Sequence, residues 1–101
     1  MPFAQIQKVT ANGIYNFRRD SDSNSSAGAT LGATIVGPAG VAATILWEHS
    51  NDQEGWDLVA TQTLSGTLLD KTHGTVQSFA PYFRATVSGF AGTYLNLSIG
   101  E

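Results

Sequence analysis

A strict alternation of apolar with small or polar side chains runs through the middle of the chain and restricts what it can fold into. Between Val41 and Ser50, the residues Val41, Ala43, Ile45 and Trp47 occupy alternate positions. A period of two places such a set on a single face of a β-strand. The segment therefore predicts a strand with one buried face, on which Trp47 is a core residue.

Similar short alternating segments occur along the rest of the chain, with turn-forming stretches such as GPAG at residues 37–40 between them. No window of a dozen residues has the spacing of an amphipathic helix. About eight short strands at regular spacing predict an all-β protein, a single antiparallel β-sandwich over residues 1–101. We expect immunoglobulin-like connectivity, with a jelly roll or a small barrel as the alternative.

Residues 3–17 contain two short strands on either side of Asn12-Gly13. An Asn-Gly pair accepts the positive φ angles of a two-residue hairpin turn. We therefore expect residues 1–17 to form an N-terminal hairpin, or an arm that is ordered mainly by contact with another chain. The sandwich from residue 29 onward is expected to fold without residues 1–7.

The composition argues against several classes of function. The chain has no cysteine, so it has neither a disulfide framework nor a zinc site built on thiolates. Lys and Arg number only five, and the net charge of −3 argues against nucleic-acid binding. No apolar stretch approaches the length of a membrane span, and no signal peptide is visible, so we expect synthesis in a cytoplasm.

The acidic stretch between the two tryptophans is the first candidate for chemistry. Glu48 and Asp57 flank it, and His49 is the histidine near these acids. A hydrolase needs converging acids, and a metal site needs ligands from several elements. We predict instead a solvated loop, in which neutralising Asp52, Glu54 and Asp57 leaves the fold intact. We expect no enzymatic activity, no cofactor and no metal.

The Ser- and Asp-rich stretch at residues 18–28 is the second candidate. Asp20, Asp22 and Asn24 have the i, i+2, i+4 spacing that opens a calcium-binding loop. Ser25, however, stands where that motif has a glycine. We therefore favour a solvated loop, with a looser calcium site as the alternative.

Aromatic and arginine side chains outside the predicted core are candidates for binding a partner, because interface energy concentrates in such residues. Tyr82, Arg84 and Tyr94 occupy the outer faces of their strands, and the N-terminal third adds apolar residues and arginines. The predicted partner-binding residues are Phe3, Ile6, Phe17, Arg18, Arg19, Tyr82, Arg84 and Tyr94.

A carbohydrate-binding module is the alternative function. Aromatic rings can stack on sugar rings, and Tyr82 and Tyr94 both fall on predicted outer faces. Trp47, Trp56 and Phe83 fall on the faces assigned to the core, where we expect them to pack rather than bind.

Three stretches, ATILWEHSNDQEGWDLV, LSGT and FAPYFRATVSGFAGTYLNLSIG, resemble small β-sandwich proteins of tailed bacteriophages. The similarity covers residues 42–100. It rests on the Ser-Asn-Asp to Gly-x-Trp loop at residues 50–56 and on the aromatic-Arg-Ala strand at residues 82–87. Gln53-Glu54 lengthens the loop relative to the usual pattern, and residues 3–17 have no matching part.

The resemblance implies a non-enzymatic virion structural protein made in the host cytoplasm. Capsid decoration or cement proteins, head fibres and tail accessory domains share this pattern. The capsid decoration role implies a protein that binds the phage major capsid protein or another virion protein, as a homo-oligomer such as a trimer. No contact with nucleic acid or membrane is implied. A carbohydrate-binding module of a phage tail or fibre is the alternative.

Overall fold

The computed structural model describes residues 4–18, 30–38, 40–66, 70–78 and 80–100, and every regular element in these ranges is a β-strand. The strands are β1 (Ala4–Val9), β2 (Gly13–Arg18), β3 (Thr30–Gly37), β4 (Ala42–Ser50), β5 (Asp57–Ser65), β6 (Asp70–Gln77), β7 (Tyr82–Ala91) and β8 (Leu95–Gly100). The described ranges contain no helix that could cross a membrane. The all-β prediction is confirmed.

The strands form two antiparallel four-stranded sheets, in the order β1-β8-β3-β6 (sheet A) and β2-β7-β4-β5 (sheet B). β1 pairs with β8, β2 with β7, β3 with β6 and β4 with β5. The chain is therefore one long antiparallel hairpin, with its tip between β4 and β5, that is rolled into two layers. This eight-stranded arrangement is a jelly roll.

The predicted β-sandwich is confirmed, whereas the immunoglobulin-like connectivity is wrong. An immunoglobulin-type sandwich places its first two strands in the same sheet. Here the first two strands lie in different sheets, and each pairs with a strand near the C-terminus. The alternative prediction, a jelly roll, describes this strand order.

The N-terminal hairpin is also wrong. β1 pairs with β8 at six positions, from Ala4 opposite Gly100 to Val9 opposite Leu95, and β2 pairs with β7 in the other sheet. The segment between them crosses from one layer to the other, where Asn12 Oδ1 accepts a hydrogen bond from the main chain of β7. Because β8 of the same chain orders β1, residues 4–9 are not an arm that awaits another chain.

The core lies between the sheets and centres on Trp47, which is fully buried as predicted. Its indole contacts Phe17, with ring centroids 5.3 Å apart. Trp47 Nε1–H donates to Gln62 Oε1 at 2.6 Å, and Gln62 Nε2 donates to the Ala33 carbonyl of sheet A at 2.9 Å. The buried amide thus satisfies its own polar groups and links the two layers.

Phe17 is a core residue and not a partner-binding residue, so that prediction is wrong. It lies opposite Phe83 in the pairing of β2 with β7, and only 3% of its surface is exposed. Both faces of β2 carry apolar residues, so alternation alone did not identify which face is buried.

Glutamine side chains close the gap between β1 and β2 at one side of the sandwich. Gln5 Oε1 accepts a hydrogen bond from the Arg18 N–H at 3.0 Å, and Gln7 Nε2 donates to the Asn16 carbonyl. Two main-chain groups at the edge of β2 are thereby paired. A foreign strand would need such groups in order to extend sheet B at β2, so these two bonds make this edge less available for strand addition.

Candidate functional site

Two surface depressions lie at the end of the sandwich where β4 leads into β5, which we call the β4–β5 end. The first, the His49 depression, has a volume of about 350 Å³ and includes His49, Asp57 and Ser78 in its lining. The second, the Trp56 groove, has a volume of about 340 Å³. Its lining residues are Gln5, Asn16, Phe17, Arg18, Gln53, Trp56, Tyr82 and Phe83.

The loop at residues 51–56 contributes to both depressions and is held by its own side chains. Ser50 Oγ accepts hydrogen bonds from the N–H groups of Asp52 and Gln53 at 3.1 and 2.8 Å. Asp52 Oδ1 in turn accepts from the N–H groups of Glu54 and Gly55 at 2.9 and 3.0 Å. The loop is exposed, as predicted, but Asp52 is a structural residue within it.

These contacts also favour the ionised form of the Asp52 carboxyl. The hydrogen bonds from the Gly55 N–H, the Glu54 N–H and the Ser50 hydroxyl lower the pKa of its carboxyl below the ordinary value of 3.8, because they stabilise the ionised form. The Asp52 carboxyl therefore stays ionised to a lower pH than an ordinary aspartate. Asp52 is exposed, as predicted, but it also holds the loop through its hydrogen bonds.

The same loop brings Gln53 to the Trp56 groove. Gln53 has a φ of 65°, which is uncommon for a residue other than glycine. Its N–H bond to Ser50 Oγ holds this conformation. The loop therefore directs an amide side chain toward the groove.

Trp56 is not the core residue that alternation predicted. Trp47 of β4 pairs with Ala60, but the next residue of β4 pairs with Leu58, which leaves Val59 as an extra residue in β5. A bulge of this kind changes the face on which the residues before it lie. Accordingly, Leu58 is 58% exposed, and Trp56 is half-buried at the surface.

An ion pair supports the indole of Trp56. The guanidinium carbon of Arg84 lies 4.4 Å from the ring centroid, and Arg84 Nε contacts Glu48 Oε1 at 2.8 Å. An ion pair this near the surface contributes little to stability, so its main effect is to orient the ring. Glu48 and Asp57, the acids that flank this loop, lie apart: Glu48 binds Arg84 on the outer face of sheet B, whereas Asp57 lines the His49 depression.

Tyr82 and Arg18 form another wall of the Trp56 groove. They are opposite each other in the pairing of β2 with β7, and the Arg18 guanidinium carbon lies 5.8 Å from the tyrosine ring centroid. Phe17 and Phe83 also border the groove, but both are core residues that expose almost none of their surface. The groove thus combines two partly exposed aromatic rings with a guanidinium and three amides, and none of its described lining residues is acidic.

The His49 depression is built differently. His49 Nδ1 lies 2.6 Å from Ser78 Oγ, and Ser78 Oγ accepts a hydrogen bond from the Ala80 N–H at 2.9 Å. This arrangement caps the turn that precedes β7. Within the described part of the chain, no group of three or more His, Cys, Asp or Glu side chains could hold a metal ion.

The predicted partner-binding residues do not form one surface. Arg18, Tyr82 and Arg84 lie on the outer face of sheet B, whereas Ile6 and Tyr94 lie on that of sheet A. Because the two tyrosines belong to different faces, the predicted sugar platform of Tyr82 and Tyr94 is wrong.

Some predictions fall outside the described residues. They are the partner-binding roles of Phe3 and Arg19 and the calcium motif of Asp20, Asp22 and Asn24. These stay predictions.

Compared with family models, curated proteins and solved structures, the chain matches none. Four residues of the Trp56 groove were missed by sequence reasoning: Gln5, Asn16, Gln53 and Trp56. One signal for Trp56 was available, since a tryptophan directly after a polar loop is often near the surface.

Proposed function

We propose that the protein is a non-enzymatic structural protein of a bacteriophage particle, a capsid decoration protein that binds the major capsid protein on the head shell. The resemblance over residues 42–100 supports this role. The jelly roll recurs in viral capsid domains, which adds support at the level of fold analogy alone.

The observation that carries the proposal is the outer face of sheet A. Ile6 is 71% exposed on this face, and Val36 is 37% exposed. The positions around them hold small or polar side chains, such as Thr34, Asn96 and Ser98 of the two central strands. In the proposed complex these two apolar side chains contact the shell, where burial would remove them from water.

The charge of this face indicates what kind of surface it would meet. Lys8 and Lys71 lie at the two ends of one row across the sheet. The Lys8 amine is 4.8 Å from the ring centroid of Tyr94. The described side chains of the face include no carboxylate, although the chain has a net charge of −3. An acidic patch on the shell complements such a face and aids docking.

Two matched isoleucines allow a direct test. Ile6 and Ile14 are both exposed on edge strands, at 71% and 56%, but Ile6 lies on sheet A and Ile14 on sheet B. Each is replaced by Asp, and binding to purified heads that lack the protein is measured by co-sedimentation. We expect Ile6→Asp to weaken binding at least about tenfold and Ile14→Asp to bind like the parent.

The proposal would be contradicted by a parent chain that does not sediment with heads. Equal binding by Ile6→Asp and the parent would instead remove the outer face of sheet A from the interface. Circular dichroism of both variants checks that each is folded. The predicted homo-oligomer stays a prediction, which sedimentation velocity of the free protein measures.

A further inference from the structure

We infer that the Trp56 groove is a carbohydrate site that takes a pyranose ring of a glycan. This goes beyond the decoration role, which needs no sugar site. It also replaces the predicted tyrosine platform with a different set of residues, at the β4–β5 end.

Aromatic rings supply the apolar part of the site. Trp56 and Tyr82 are partly exposed and line the same groove. A pyranose ring has a face of C–H groups that packs against a flat aromatic surface, and aromatic lining with a few placed polar groups is typical of small-ligand sites. Scattered surface aromatics would not provide such a concave surface.

Side-chain amides supply the polar part of the site. A sugar hydroxyl both donates and accepts hydrogen bonds, and so does the side-chain amide of Gln or Asn. Gln5, Asn16 and Gln53 line the groove from three separate segments, and Arg18 adds a donor. The number of polar groups suits a ring with several hydroxyls better than an apolar ligand.

Several of these groups are held in place before any ligand arrives. Arg84 packs on Trp56 and is fixed by Glu48, and the Ser50 hydroxyl holds the main chain of Gln53. Gln5 is oriented by its bond from the Arg18 N–H. Such preorganisation reduces the ordering cost of binding.

The size of the groove limits the ligand. Its volume of about 340 Å³ is at the small end of the range for small-molecule sites. It therefore suits one or two sugar rings at the end of a chain. Aromatic rings can also stack on nucleic-acid bases, but an overall charge of −3 disfavours a polyanion.

A glycan array probed with the full chain is the first test. We expect the parent to retain glycans that expose hexose rings, and Trp56→Ala and Tyr82→Ala to lose at least about tenfold in affinity. Tyr94→Ala is the matched control, since Tyr94 also lies beneath a cationic side chain but on the other sheet. Retention of no glycan by the parent, or an equal loss in Tyr94→Ala, overturns the inference.

Tryptophan fluorescence tests where on the protein the sugar binds. The chain has two tryptophans, of which Trp47 is fully buried and Trp56 is not. A hexose oligosaccharide retained on the array should protect the emission from acrylamide quenching, and Trp56→Phe should abolish the protection. Protection that persists in Trp56→Phe places the sugar elsewhere and overturns the inference.

Should Trp56→Ala fail to fold, Gln53→Ala changes the polar side of the groove at an exposed loop position. We expect it to weaken binding by several-fold, and unchanged binding would count against the site. These assays use purified protein without particles. A failure here therefore leaves the head-binding test of the decoration role unaffected.

Discussion

The two ends of the sandwich are built by different means. At the β4–β5 end, side chains such as Ser50 and Asp52 hold the loop and leave depressions of about 350 and 340 Å³. At the opposite end, where β7 leads into β8, the main chain packs directly on Val41. A Cβ atom on Gly92 would lie 2.7 Å from Val41 Cγ2.

This difference indicates which end serves the fold and which end can vary for binding. Val41 is fully buried, so the close approach at Gly92 seals the end of the core. The β4–β5 end instead covers the core with Trp47 and its neighbours, and the loop lies outside that cover. Loops placed on a rigid scaffold of this kind are where binding residues concentrate.

The largest expected effect separates the two tryptophans near the β4–β5 end. Replacing the fully buried Trp47 by Ala should lower the free energy of unfolding by about 3–5 kcal/mol, because it opens a cavity and leaves Gln62 Oε1 without its donor. Trp56→Ala should cost much less, since the ring is partly in water. Chemical denaturation of both variants measures the difference. Similar losses would mean that the groove belongs to the core.

An intermediate effect is expected at the opposite end. Gly92 has a φ of 119°, and an added Cβ would clash with Val41, whereas Gly89 has a φ of 63° with no atom within 4 Å of such a Cβ. Both Ala variants introduce backbone strain, but only Gly92→Ala also adds the clash. We expect Gly92→Ala to be less stable than Gly89→Ala by about 1–3 kcal/mol. Equal urea midpoints for the two variants would show that Val41 shifts to accommodate the added Cβ at little cost.

The smallest effect concerns pH. The pKa of Asp52 is lowered in the folded chain by the bonds from Gly55, Glu54 and Ser50, so the stability it contributes is present above its ordinary value of 3.8. That contribution is lost as the pH falls through the lowered folded-state pKa. We expect Asp52→Asn to be less stable than the parent at pH 7, with the gap closing in strong acid.

Thermal unfolding from pH 7 to pH 2 measures this gap, with Glu54→Gln as the control in the same loop. The Glu54 side chain is exposed, so its variant should follow the parent at every pH. If the stability difference between Asp52→Asn and the parent does not change with pH, the loss comes from altered hydrogen-bond geometry and not from the lost charge.

The sequence by itself determined that the chain forms strands and which residues of β4, β7 and β8 face inward. Alternation has a period of two, and a strand with one apolar face can bury only that face. Trp47 and Phe83 are therefore core residues in both the prediction and the structure. The outward positions of Tyr82 and Arg84 followed from the same period.

Only the tertiary structure decided how the strands pair and where the groove lies. Pairing in a jelly roll joins strands that are distant in sequence. The alternation of apolar and polar residues within one strand does not indicate which strand it pairs with. A prediction from alternation assumes that a strand pairs without interruption. The extra residue Val59 interrupts the pairing of β5, so Trp56 lies at the surface and not in the predicted core. The groove itself joins β1, β2, β7 and the β4–β5 loop, segments that meet only because the long hairpin is rolled.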